Sequence, residues 1–216
     1  MKKKSLGKVL ALIACVLALV AAGVAGTLAY LIDADEAVNT FTVGDVQLSL
    51  DETDVDSDND TKKNAYHLIP GESYTKDPTV TVLDGSEEAY VRIMMTLKNA
   101  ADLKAIMNDK NLELDDFITD LNADWILKGI TEDTANDTLV YEYRYKTTVS
   151  GLNGAVELPA LFETLAVPSV LDGADLQALY GTNGEFEMVF NAHAIQVSGF
   201  ENAEDAAWTA FDAQVD

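Results

Sequence analysis

The stretch AYVRIMMTL, residues 89–97, decides the fold class. Val91, Ile93, Met95 and Leu97 share one parity, and Tyr90, Arg92, Met94 and Thr96 share the other. That period of two belongs to a strand with one buried face. Just upstream, residues 74–83 read as a strand between turns at Pro70-Gly71 and Asp84-Gly85. Pro78 confines that strand to an edge, an end or a bulge, because it has no N–H to donate. Residues 40–50 are also extended. Phe41 and Val43 lie on one parity and Val46, Leu48 and Leu50 on the other, so a bulge or tight turn at Gly44-Asp45 would return one face to the core.

Downstream, residues 99–107 and 112–121 carry helical spacing (Leu103, Ile106, Met107; Leu114, Phe117, Ile118, Leu121), and residues 98–124 read as a helical insertion. Residues 126–130 and 139–148 return to an extended pattern. Tyr141, Tyr143 and Tyr145 alternate there with Glu142 and Arg144, a stripe that packs on one sheet face or, in a sharper reading, offers an aromatic ligand platform. Residues 158–167 fit either strand or helix, and 173–179 form a short helix. The last long strand is 186–197, with Phe186, Met188, Phe190, Ala192 and Ala194 inward, and 201–211 closes as an acidic amphipathic helix. No repeat or long linker interrupts residues 30–216, which read as a single domain. Strands at both ends predict a mainly β fold, an antiparallel sandwich with inserted helices.

Residues 1–29 are of another kind. Lys2, Lys3, Lys4 and Lys8 precede an uncharged apolar run over residues 9–25, which ends in Gly26-Thr27-Leu28-Ala29. This is the pattern of a helical secretory signal peptide, with Thr27 at −3 and Ala29 at −1 of a cut before Tyr30. Two other readings compete. The run is nearly long enough to span a bilayer as a retained anchor, and Leu12-Ile13-Ala14-Cys15 resembles a lipid-attachment site. The small-residue exit favours the peptidase, and the apolar sequence after Cys15 is unlike a lipoprotein.

Cys15 is the only cysteine, so cleavage after Ala29 leaves a chain without disulfides that must rest on its core. The net charge of −23 becomes −27 once the four signal-segment lysines are removed, leaving ten basic against 37 acidic residues. Nucleic acid is a poor partner for such a surface, whereas ionic strength and divalent cations should matter to it.

Catalytic signatures are absent from the sequence. His67 and His193 are far apart and neither belongs to an HExxH motif, so both read as ordinary surface histidines. No serine sits in a G-x-S-x-G elbow, Ser150-Gly151 and Ser198-Gly199 read as turns, and no phosphate-binding or dinucleotide fingerprint occurs. Among 37 acids, chance carboxylate pairs signal no glycoside chemistry. Charge is densest at Asp51, Asp54, Asp56, Asp58 and Asp60, whose alternation resembles the start of a calcium loop. Counted from Asp54, the sixth residue is Asn59 rather than Gly and the twelfth is Ala65 rather than Glu. A solvated acidic loop is therefore the simpler reading, and calcium at Asp54, Asp56, Asp58 and Asp60 the sharper one.

Three stretches carry a family resemblance. Gly26-Thr27-Leu28-Ala29, Tyr30, the acidic Asp33 and Asp35, and Thr40-Phe41-Thr42-Val43-Gly44-Asp45-Val46-Gln47-Leu48 follow one another as in the TasA/camelysin (CalY) family. IPGESYTKDPTV is similar to the segment before that family's second strand, and AHAIQVSGFENAEDAAW to the closing strand and tail of clostridial members. The resemblance covers the first 97 residues well and the last 30 moderately. It implies a jelly-roll-like sandwich, export through a SipW-type signal peptidase in a Gram-positive bacterium, and assembly into fibres of the extracellular biofilm matrix, as a homopolymer or with related subunits. It further implies cleavage at Ala29-Tyr30 and a donor strand within residues 30–41 (Tyr30, Leu31, Ile32, Ala37, Val38, Phe41) that joins a neighbour's sheet. Asp33, Asp35 and Glu36 make this segment more acidic than a dry groove would favour, so either the carboxylates face water or assembly needs low pH or cations. The alternatives are a surface adhesin that uses the tyrosine stripe, and a camelysin-type metalloprotease, for which no zinc motif is found.

Overall fold

The computed structural model describes residues 32–35 (as backbone), 46–55, 64, 66–180 and 186–215. The peptidase-site residues Thr27, Ala29 and Tyr30, the donor residues Leu31, Ala37, Val38 and Phe41, the Gly44-Asp45 turn, and Asp56, Asp58 and Asp60 lie outside the described residues.

The described chain is mainly β, with antiparallel sheets and a few helices. Its strands are β1 (Ile32–Asp35), β2 (Leu48–Asp51), β3 (Ser73–Thr75), β4 (Thr79–Val82), β5 (Ala89–Lys98), β6 (Trp125–Asp133), β7 (Thr138–Tyr145), β8 (Val156–Glu157), β9 (Thr164–Ala166) and β10 (Met188–Gln196). The helices are α1 (Ala100–Lys110), α2 (Gly173–Leu179) and α3 (Glu204–Val215). A five-stranded sheet runs β1-β10-β5-β7-β6, with smaller sheets β2-β4-β8 and β3-β9.

Alternation explains which faces meet. Val91, Ile93, Met95 and Leu97 of β5, Phe190, Ala192 and Ala194 of β10, and Tyr141 and Tyr143 of β7 are buried in one core cluster. Val46, Leu48, Leu50, Val80 and Val82 from the β2-β4 side belong to the same cluster, so the sheets share this core. Pro78 falls between β3 and β4, where no ladder N–H is needed, and its carbonyl accepts from Leu161 N–H at 3.0 Å. Residues 158–167 are resolved as a buried connection, Leu158, Leu161 and Phe162, followed by β9.

The helical insertion is shorter than its periodicity suggests. α1 ends where Asn111 turns left-handed and donates its N–H to the Met107 carbonyl. Leu114–Asp116 then form a single 3₁₀ turn, closed by the Glu113–Asp116 capping box, and Ile118 makes an isolated bridge to Leu165. The apolar residues of 112–121 therefore reach the core from a turn and a bridge rather than from a second helix. α2 starts as the sequence predicts. Asp172 accepts from Ala174 N–H (2.8 Å) and Asp175 N–H (3.0 Å), and these backbone bonds hold its carboxyl below the usual range.

Candidate assembly edge

β10 is the second strand of the large sheet, between β1 and β5. On one side it pairs with β5 over nine residues, from Met188↔Leu97 to Gln196↔Ala89. On the other it pairs with the four residues of β1, in the register Ile32↔Ile195, Asp33↔Ala194, Ala34↔His193 and Asp35↔Ala192. Of the donor residues read from the sequence, Ile32 falls within this strand. The acidic positions Asp33 and Asp35 pair with Ala194 and Ala192, both of which are fully buried on the core side.

At the opposite edge, β6 carries Ile126, Leu127 and Ile130 in exposed positions. A register shift between Leu127 and Gly129 interrupts its ladder with β7. A bulged edge with Lys128 inside it is poorly suited to pairing with another chain.

The outer face of the sheet is covered. Arg92 on β5 stands directly across from Arg144 on β7 and from His193 on β10. Adjacent like charges on a sheet face repel, and α3 with β7 supplies the compensation. Asp212 takes both terminal nitrogens of Arg92, Asp205 takes Arg144, and Glu142 lies against both guanidinium groups. Trp208 and Phe211 of α3 close over the Arg92 guanidinium at 4.4 and 4.9 Å from their ring centres, and the His193 ring stacks on Phe211 at 4.8 Å. With Ile195 and Ala207 these aromatics form a second buried cluster.

His193 is therefore not the surface residue its polar strand face suggested. Its Nδ1 accepts the Arg92 Nε–H at 3.1 Å. Burial first, and the Arg92 charge second, hold its pKa down at about 4, against the opposing pull of Asp212. His67 is exposed. The tyrosine stripe also differs from the platform reading: Tyr141 and Tyr143 are 6% and 2% exposed, and burial pushes the Tyr143 hydroxyl up to about 12. Tyr145 packs edge-on against Trp125 at 5.2 Å.

Among the described residues no group of three His, Cys, Asp or Glu is placed to hold a metal ion, and no helix is long and apolar enough to cross a membrane. Asp54 is the single member of the calcium candidate that is described. Comparison with family models, with curated proteins and with solved structures finds no match to this chain.

Proposed function

We propose that this is an exported structural protein, a subunit or accessory of extracellular matrix fibres, released by a SipW-type signal peptidase and assembled by exchange of its N-terminal strand. Its fold on this reading is a jelly-roll-like sandwich. The observation that carries the proposal is the place of Ile32–Asp35, a four-residue edge strand on β10 close behind the predicted cut. If β1 leaves, the β10 edge is left unpaired, and the equivalent strand of a neighbour can restore the ladder. Since each subunit gives one strand and takes one, the contact is head-to-tail and propagates.

Cross-strand partners share a sheet face. An incoming strand in the register of β1 would bring Asp33 and Asp35 to the side of Ala192 and Ala194. Charged carboxylates are costly there whichever chain supplies the strand, so protonation or a divalent cation favours an occupied β10 edge in both the closed and the exchanged form. The adhesin reading loses its proposed face, because Tyr141 and Tyr143 are core residues.

Negative-stain electron microscopy tests the proposal, comparing protein that begins at Tyr30 with protein that begins at Val43. Samples span about pH 4 to about pH 8, from near the ordinary carboxylate values to above that of histidine, with and without Ca²⁺. Filaments are expected from the longer chain alone. Monomers from both chains under every condition would overturn it.

A further inference from the structure

Lys76 is an unusual lysine. It sits between β3 and β4, is 6% exposed, and its Nζ lies 5.0 Å from the Phe190 ring centre and 5.4 Å from that of Tyr66. A lysine is rarely placed so deep without a partner. Here the partner is Glu52, just past the end of β2, whose two carboxylate oxygens lie 3.0 and 2.9 Å from Nζ. The Glu52 side chain is 9% exposed. Removing both charges from water offsets much of what their attraction contributes, so the pair is weak as a stability device.

A third group completes the cluster. Asn64 Nδ2 donates to the same Glu52 Oε2 at 3.2 Å and to the Thr53 carbonyl at 3.0 Å, while Asn64 Oδ1 accepts the Val55 N–H at 2.9 Å. One carboxylate oxygen thus bridges an amine nitrogen and an amide nitrogen, and a backbone N–H polarises the amide carbonyl. Aromatic rings on the amine side limit water.

We infer that Lys76 and Asn64 become joined by an intramolecular isopeptide bond, with Glu52 as the catalytic proton carrier. Glu52 takes a proton from the Lys76 ammonium across the 2.9 Å contact between Nζ and Oε2. The freed Nζ lone pair attacks Asn64 Cγ, and the Val55 N–H stabilises the oxygen charge that develops. Glu52 delivers its proton to Nδ2 and removes the second proton from Nζ, the Cγ–Nδ2 bond breaks, and ammonia departs. Ammonia then takes the proton from Glu52, leaving the carboxylate and an ammonium ion. No oxidant or cofactor enters the balance. The product is an amide between two chain segments in a protein whose only cysteine is Cys15. It does not depend on the fibre reading.

The intact mass of the purified protein tests this, since the bond lowers it by one ammonia, about 17 Da. Glu72 lies between the two residues, so cleavage by a glutamyl endopeptidase should leave the Asn64 and Lys76 peptides attached to each other. Glu52→Gln and Lys76→Arg should each restore the full mass. The unaltered protein decides the matter even if those variants fold poorly. Full mass with Lys76 open to acetylation after denaturation would overturn the inference, and so would ammonia loss confined to the Asn64 peptide.

Discussion

Gly151→Ala should destabilise the protein by about 3 kcal/mol or more, a large share of the stability of a typical domain. A Cβ built on Gly151 would stand 2.0 Å from the Leu83 carbonyl oxygen, 3.0 Å from its carbon and 3.1 Å from Ser86 Cβ. The nearest obstacle is backbone, and it is held from several sides. Gly151 N–H donates to the Ser86 carbonyl at 2.9 Å, and the Gly151 carbonyl accepts from Gly85 N–H at 2.9 Å. Ser86 is itself fixed, since its hydroxyl bonds both backbone groups of Gln47. Relief of the clash would therefore disturb the β4-β5 turn and the chain before β2 together. Gly173→Ala is the control, because a Cβ there meets nothing within 4 Å. In thermal unfolding, Gly151→Ala should lower the midpoint by roughly 10 °C, with Gly173→Ala close to the parent. Equal midpoints for Gly151→Ala and the parent would contradict the packing described.

The second large effect is a dependence on pH that His193 creates. Unfolded, its imidazole binds a proton near 6.5; folded, it does so only near 4. Between these values the unfolded chain holds the extra proton, so stability falls as pH drops from about 6.5 to about 4 and this contribution is constant outside that window. The gap corresponds to about 3 kcal/mol. Arg92 and the Phe211 ring contact the imidazole directly, Asp212 acts on it through its charge while bonding Arg92, and Glu142, Arg144, Glu204 and Asp205 extend the charged layer. Below that window another loss begins. Its bond to Arg144 first, and the Arg144 charge second, hold the Asp205 carboxyl below its ordinary value, and that contribution disappears as Asp205 protonates. Urea unfolding midpoints across this range should show the slope in the parent and lose it in His193→Gln, whose amide oxygen can still accept from Arg92. An unchanged slope in that variant would assign the effect elsewhere.

β5 and β10 were legible because their alternation is local and each has one face toward the core. The short helix expected over residues 173–179 is α2, and the capping pair Asp172 and Asp175, three residues apart, fixes its start. The misreadings share a physical cause. His193 lies on a polar strand face, and α3, folded back over that face, leaves it half-buried under Phe211. Residues 112–121 have helical spacing, yet the left-handed Asn111 and the bridge from Ile118 to Leu165 decide their conformation, and the second of these is tertiary. Tyr141 and Tyr143 form the stripe on one sheet face that their alternation predicts, and the core packed against that face buries both. The Lys76–Glu52–Asn64 cluster had no sequence signal. Its members come from separate segments, and Lys76 lies in the stretch 74–83 that reads as a strand, where nothing local points to Glu52 or Asn64.

The central claim, that the segment behind the cut pairs with β10 of a neighbouring chain, is tested most directly by trapping that pair. Ala34 and His193 are cross-strand partners, and a chain beginning at Tyr30 contains no cysteine of its own. One preparation carries Ala34→Cys and another His193→Cys, and the two are mixed under assembly conditions and then oxidised. Exchange predicts disulfide-linked dimers with one chain of each kind, well above what either preparation forms alone. If the mixture yields no more cross-linked chain than the separate preparations, the strand stays on its own β10 and the account is wrong.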